Sequence, residues 1–237
     1  MMARRGVLGM LAGGAAALLG GCWGSSASYR YRMTVEVDTP EGVKTGSSVM
    51  EVRLARGMAI GDQSGVTSGV FGEAVVVDLP NGPLFVLLQV PDAGPPLQDI
   101  VPHALLGRRS DGPDGAMADG AKLGSTWFSE YRAELPRTRN NGSQVSNNSW
   151  PMMVRFADIN DPKSVEQVDP ASIGVKRITV ETTGDDVTTG IEKRLGWLGT
   201  SPKFSDKFEK YNGWIPENEI GIAERIGPRD FSTEIGK

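Results

Sequence analysis

One thiol, one imidazole and two small groups of carboxylates are the side chains of this chain whose type and spacing bear on chemistry. Cys22 is the only cysteine in 237 residues, and His103 is the only histidine. A thiolate is a strong nucleophile and the natural target of alkylation. One histidine cannot build a multi-histidine zinc site, and no second cysteine stands ready to complete one. A serine triad would have to run through His103, yet no serine lies in a G-x-S-x-G elbow. His103 is therefore read as a structural or surface residue. Asp158, Asp161 and Glu166 are close enough in sequence to invite paired-carboxylate hydrolysis. Asp161-Pro162 is also a turn starter, and Ser164 can cap a helical turn over "SVEQ". Turn and cap roles are the preferred reading. Asp111, Asp114 and Asp119 in "DGPDGAMADG" depart from the D-x-D-x-D-G calcium spacing with its distal glutamate. No phosphate-binding G-K-[ST] loop is present. No catalytic residue, cofactor or metal ligand is assigned from these patterns.

Cys22 gains meaning from what precedes it. "MMARRGVLGMLAGGAAALLGGC" opens with two arginines, Arg4 and Arg5, continues through an apolar stretch from Gly6 to Leu19, and closes on small residues. Those are the three parts of a secretory signal peptide. The stretch is too short and too glycine-rich for a stable transmembrane helix, which needs roughly 20 apolar residues. Leu19-Gly20-Gly21-Cys22 resembles the lipobox of bacterial lipoproteins. The resemblance implies that the Cys22 thiol is alkylated by a diacylglycerol, that residues 1–21 are removed, and that Cys22 becomes the acylated first residue. Two or three acyl chains, such as palmitate, would then hold the chain firmly on a membrane. "RRGVLG" also resembles a twin-arginine export signal, so either export route stays open. Trp23 stands where some inner-membrane lipoproteins carry an aspartate. This leans toward the periplasmic face of the outer membrane, with the inner membrane as the alternative.

Charge excludes one class of partner. The whole chain carries 25 basic and 29 acidic side chains. Without Arg4 and Arg5 the remainder stands at 23 against 29, a formal −6. Nucleic acid is not expected, because phosphate binding needs a basic face. A lone cysteine allows no internal disulfide, so the core must hold by packing. Thirty-one glycines and 15 prolines point to a loop-rich β protein rather than a helical bundle.

The elements that must position these groups follow from periodicity. Residues 22–28 read as a lipidated tether and 29–237 as a single β-rich domain. In "YRYRMTVEV", Tyr29, Tyr31, Met33, Val35 and Val37 alternate with Arg30, Arg32, Thr34 and Glu36, which predicts a half-buried strand. The arginines are then its solvated face. "DTPEG" turns the chain into a second strand with Met50, Val52 and Leu54 inward. A loop from Arg56 to Gly72 leads to "EAVVVDL". "LFVLLQV", Leu84 to Val90, is apolar on both sides and reads as a central strand. Residues 29–90 are thus expected as a four-strand meander. Residues 91–121 are expected to be mostly loop. Ser125 to Leu135 is expected to be a helix, N-capped by Ser125, with Trp127, Phe128, Tyr131 and Leu135 on one face before Pro136. "WPMMVRFADI" and "VKRITVETT" are further strands. Asn141 and Asn147 lie in N-x-S sequons of no weight in a bacterial lipoprotein. The tail holds Phe204, Phe208, Tyr211 and Trp214, with Phe204 and Phe208 on one face of a short helix. "DINDPKSVEQVDP" and "VTTGIEKRLGWL", with the early "TVEVDTPEG", resemble a family of uncharacterised proteobacterial proteins. That resemblance implies a grouping and no activity.

The expected fold is mainly β or α+β: an antiparallel sheet or sandwich with a few short helices and long loops. The expected function is that of a membrane-anchored envelope lipoprotein with a non-catalytic binding or structural role. Its partners would be membrane lipid through Cys22, and envelope proteins. The alternative is an envelope hydrolase using the carboxylates near Asp158.

Overall fold

A computed structural model describes residues 25–57, 65–91, 96–125, 130–137, 139–140, 145–146, 150–200, 202–211 and 215–235. Cys22 and the segment before it lie outside these residues, as do Trp127, Phe128, Asn141, Asn147 and Trp214. In chain order the strands β1 (Ser26–Thr39), β2 (Gly42–Arg56), β3 (Val66–Phe71), β4 (Val75–Leu79) and β5 (Gly82–Val86) come first. Helices α1 (Leu97–Leu106) and α2 (Gly112–Gly124) follow. Then come β6 (Arg132–Glu134), β7 (Arg139–Asn140), β8 (Val145–Ser146), β9 (Met153–Phe156), β10 (Val165–Gln167) and β11 (Val175–Thr182). Two single-turn helices, α3 (Lys207–Lys210) and α4 (Pro228–Phe231), lie in the tail.

The fold is mainly β, as the sequence predicts. Two antiparallel sheets carry it, one ordered β3-β2-β1-β11-β6 and the other β10-β9-β5-β4; β7 and β8 pair separately. β1 is the strand around which the larger sheet forms. It pairs with β2 from Ser26↔Ala55 to Thr39↔Gly42, and with β11 from Tyr31↔Thr182 to Val37↔Val175. Its alternation holds: Tyr29, Tyr31, Met33, Val35 and Val37 are buried, and Met50, Val52 and Leu54 of β2 face the same core. The opposite face is polar. Arg30 pairs with Asp186 at 3.0 Å, Arg32 with Asp185, and Arg177 with Glu36 at 2.7 Å.

The smaller sheet is covered on both sides. Leu84 and Val86 of β5 join the first core, together with Val75, Val77 and Met153. Phe85, Leu87, Met152 and Val154 turn to a second core built by the C-terminal segment. Phe231 stands at the centre of that core, with the rings of Phe156, Trp197 and Phe204 each 5.8 Å away and Phe85 at 6.1 Å. This accounts for "LFVLLQV": alternate residues serve two different cores. The sheets approach closely at Gly46, where a Cβ would lie 2.1 Å from the Val76 carbonyl oxygen.

Several sequence expectations are corrected. β1 opens at Ser26, so residues 26–28 belong to the sheet rather than to a tether. The four-strand meander divides: the Arg56–Gly72 loop contains β3, and β4 and β5 leave for the second sheet. A sheet with one solvated face cannot bury strands that are apolar on both sides. Residues 91–121 are largely helical rather than loop. Pro113 lies in the first turn of α2, where a missing N–H costs nothing. Gly120 and Gly124 of α2 allow close packing: a Cβ would lie 2.7 Å from Leu54 Cδ1 at the first and 2.0 Å from the Ser28 carbonyl oxygen at the second. Of the span from Ser125 to Leu135, expected to be a helix, no described residue is helical. Ser125 is instead the C-cap of α2, and Arg132–Glu134 pair with Thr179–Glu181 of β11. Cross-strand hydrogen bonds outweigh a weak helical spacing there. Ser164 caps no helical turn over "SVEQ". It ends a 3₁₀ turn, Pro162–Ser164, and the chain continues as β10. Phe204 is buried but precedes α3, so it is not on a shared helical face; the side chain of Phe208 lies outside the described set.

Glu73 joins these layers. It lies in the crossover from β3 to β4 and is 3% exposed. Its carboxylate accepts hydrogen bonds from the backbone N–H groups of Gly190 (3.0 Å) and Ile191 (2.9 Å) and from the Ser232 hydroxyl (3.3 Å). Its carbonyl oxygen accepts from Ser48 Oγ at 2.7 Å. Burial pushes the Glu73 carboxyl above its ordinary value of 4.5, against the opposing pull of the Ile191 and Gly190 N–H groups.

Two measurements check this packing. Val35→Asp places an unpaired charge in the core and should cost several kcal/mol, whereas Glu36→Gln, one residue on, removes only a surface pair with Arg177 and should cost about 1 kcal/mol or less. Equal losses in urea titrations of the two variants would refute the face assignment. Glu73→Gln should destabilise by about 1–3 kcal/mol at neutral pH, since an amide cannot accept from both N–H groups. The folded protein holds the Glu73 proton more tightly than the unfolded chain does. The native protein therefore gains stability from this group as pH falls through the raised folded value toward 4.5. The gap to Glu73→Gln should widen over that window; a narrowing gap would mean that the hydrogen bonds outweigh burial.

Candidate functional site

The residues singled out by sequence divide sharply by position. Asp158 and Asp161 cap successive turns: Asp158 Oδ1 accepts from the Asn160 N–H at 2.9 Å, and Asp161 Oδ1 from the Lys163 N–H at 2.9 Å. Glu166 is exposed on β10, in register with Arg155 of β9. Asp119 is buried at 2% exposure and spent on α2's own surroundings, accepting from Arg108 and, at 2.8 Å, from Ser110 Oγ. Asp114 pairs with Arg56. Among the described residues no group of three histidine, cysteine, aspartate or glutamate side chains comes together as metal ligands. His103 is different. It sits half-buried on α1, in the wall of a groove.

That groove of about 360 Å³ lies between α1, α2 and the strands β1–β3. Leu54, Val66, Pro102 and Ala116 give it apolar walls. Gln98, Asp99, His103, Arg109 and Ser110 supply polar groups from α1 and the α1–α2 connection. The Asp119 pairs with Arg108 and Ser110 hold that connection against α2. Gly120 leaves part of the wall open to backbone contact, since a Cβ there would stand 2.7 Å from Leu54 Cδ1.

Tyr29 of β1 lines the inner side. It is 3% exposed, and its hydroxyl is the buried side-chain polar atom among the described residues that has no hydrogen-bond partner. Leaving such a group unpaired costs about 1–3 kcal/mol. Tyr31, two residues on and also buried, donates its hydroxyl to Met50 Sδ at 3.1 Å. Burial holds the Tyr29 phenol well above the ordinary value of 10.0, with Tyr31 and the carboxylates of Asp99 and Asp119 adding to the effect. The hydroxyl therefore keeps its proton at physiological pH. It is a donor without an acceptor, beside a groove.

A wider depression of about 740 Å³ lies among the β1–β2 turn, the β4–β5 turn and residues 171–174, and includes Arg155. Among the described residues no buried unpaired polar atom marks it. The groove at Tyr29 is accordingly the better candidate site.

No family model, curated protein or solved structure matches the chain.

Sequence reasoning placed Tyr29 correctly in the core but missed it as a site residue. The available signal was its hydroxyl: a tyrosine at a core position of a strand needs a polar partner, and no sequence pattern supplied one. Tyr29→Phe should be neutral or stabilising by up to about 1 kcal/mol, because it deletes an unpaired buried hydroxyl. Tyr31→Phe, which loses a hydrogen bond, should be destabilising. A loss above about 1 kcal/mol for Tyr29→Phe in urea unfolding would show that its hydroxyl is partnered in solution.

Proposed function

We propose that this protein is a lipid-anchored envelope protein that acts by binding rather than by chemistry. The observation that carries the reading is Cys22 itself. It closes a charged, apolar and small-residue segment in the pattern Leu19-Gly20-Gly21-Cys22, four residues ahead of β1. A link of that length spans at most roughly 14 Å. A diacylglycerol on Cys22 would therefore hold the larger sheet close to the bilayer, with the start of β1 nearest to it. The groove at Tyr29 lies at that same end of β1. The proposed place is the periplasmic face of the outer membrane, and the proposed partners are membrane lipid and a ligand or protein of the envelope. Anchoring makes a weak contact sufficient, since confinement to one surface raises effective concentration. The hydrolase reading finds no comparable support: Asp158 and Asp161 are occupied as turn caps, and Glu166 projects from a neighbouring strand.

Cys22→Ser should abolish lipid attachment and move the chain from the membrane to the soluble fraction, with mass spectrometry of the parent finding a diacylglyceryl thioether on Cys22. A parent without lipid, and a variant that fractionates with membranes as the parent does, would together refute the anchor. Placing residues 23–237 behind an unrelated lipoprotein signal should restore membrane association.

A further inference from the structure

We infer that β3 is the edge through which two copies of this chain pair, antiparallel and centred on Ser68, joining their larger sheets into one. The larger sheet ends on β3 and β6, and the smaller on β10 and β4. Open edges invite pairing with another chain, and proteins guard them with charges, proline, bulges or short length. Three of these edges are guarded. β6 and β10 have three residues each and carry Arg132, Glu134 and Glu166; β4 carries Asp78, itself paired with Arg194. β3 has six residues, "VTSGVF", with no charge and no proline. Its register with β2 runs unbroken from Glu51↔Phe71 to Arg56↔Val66, so no bulge turns this edge aside. Among the described residues, none outside β2 makes a backbone hydrogen bond to residues 66–70, and Thr67 and Ser68 are exposed. Every second residue of β3 therefore directs its N–H and C=O away from the sheet, toward a strand not yet present.

β3 is complementary to itself. A two-fold axis at Ser68 sets Val66 opposite the partner's Val70, Thr67 opposite the partner's Gly69, and Ser68 opposite the partner's Ser68. Residues directly opposite share a face, so the valines meet on the side where Val70 already faces Val52 and Ser68 faces Leu54. Val66 and Val70 are only half-buried at the margin of the first core, and a second copy extends that margin. Moving the axis to Gly69 sets Val70 against Ser68 and Val66 against Gly72, which loses the apolar match. Like charges directly opposite destabilise a pair, and β3 brings none into a symmetric one. The same register draws the two chain starts together. Ser68 is opposite Leu54, and Leu54 is opposite Ala27, so the axis lies level with the beginning of β1. The two β1 strands then stand five strand spacings apart, about 24 Å. Both links toward Cys22 leave from that centre, within reach of one membrane surface.

The pairing is read from β3 and does not depend on the anchor; confinement to one membrane only raises the effective concentration of the copies. The test is sedimentation equilibrium of the purified full chain, whether or not Cys22 carries lipid, in a detergent matched to the density of the solvent. The native protein should show a reversible monomer–dimer equilibrium at loadings up to about 1 mM, the order of concentration that tethering supplies. Ser68→Lys and Ser68→Glu each alter an exposed residue and set like charges face to face across the axis. Each alone should weaken the dimer at least about fivefold. An equal mixture of the two should recover the native affinity, because lysine then faces glutamate. That recovery also shows that both variants are folded. The inference is overturned by a monomer at every loading, by dimers of Ser68→Lys or Ser68→Glu as tight as the native one, or by a mixture that associates no better than either variant alone. A monomer at every loading leaves the edge to a strand of a different protein. All of these results leave the Cys22 measurements standing, so failure of the pairing and failure of the anchor are separable.

Discussion

A single buried carboxylate holds the two sheets and the C-terminal segment in one arrangement. Glu73 sits where the chain leaves the larger sheet for the smaller, and its two oxygens collect backbone donors from Gly190 and Ile191 and the Ser232 hydroxyl. The neighbouring residue continues the join, with the Ala74 N–H donating to the Phe231 carbonyl at 2.8 Å. Burying a carboxylate is costly unless its lone pairs are met. Here the donors come from segments more than a hundred residues away in sequence. The penalty of burial is offset only when all of these segments are in place, which makes Glu73 a condition on the whole arrangement.

The layers on either side follow from that join. Phe231 is delivered to the outer face of the smaller sheet by the same short segment that carries Ser232. It completes an aromatic cluster with Phe85, Phe156, Trp197 and Phe204. Among its described residues the C-terminal segment has little regular structure and only single-turn helices, yet it packs over the outer face of the smaller sheet. Edge-to-face ring contacts and backbone hydrogen bonds replace long elements as the source of order. On the other side, α1 and α2 cover the part of the larger sheet that the smaller one does not reach. The groove at Tyr29 is the seam between those helices and the strands.

Much of the sheet was legible in the sequence, and most of the helices were not. Strict alternation from Tyr29 to Val37 placed the five buried side chains of β1, though not Ala27, which also packs on the core, because a period of two leaves only two faces to choose from. The two-sided apolarity of Leu84 to Val90 announced a strand covered on both faces, though not that the second cover would be the chain's own tail. Periodicity carries no information about which distant segment pairs with which strand. Thus the division of the expected meander at Gly72 to Ala74 could not be read. Gly120 looked like a loop residue because composition cannot distinguish a glycine that bends the chain from one that lets a helix touch a strand. For the site, Asp161 was correctly read as a turn residue from the Asp-Pro step, whereas Glu166, expected in a helical turn, lies on a strand. Tyr29 carried no motif. Its significance lies in a missing partner, which only a structure can reveal.

β1 has neighbours of very different sequence distance, and this governs when the fold can form. Its hairpin with β2 closes through a two-residue turn and can appear as soon as residue 56 is made. Its second partner, β11, begins at Val175, and the oxygens of Glu73 wait for Ser232. The strand at the centre of the larger sheet therefore stays open along one side until most of the chain has been synthesised. Pairing of such separation is slow, because loop-closure entropy is spent before the contacts repay it. Folding of this protein accordingly waits on segments far along the chain, since β11 and the stretch around Ser232 close what β1 and Glu73 leave open.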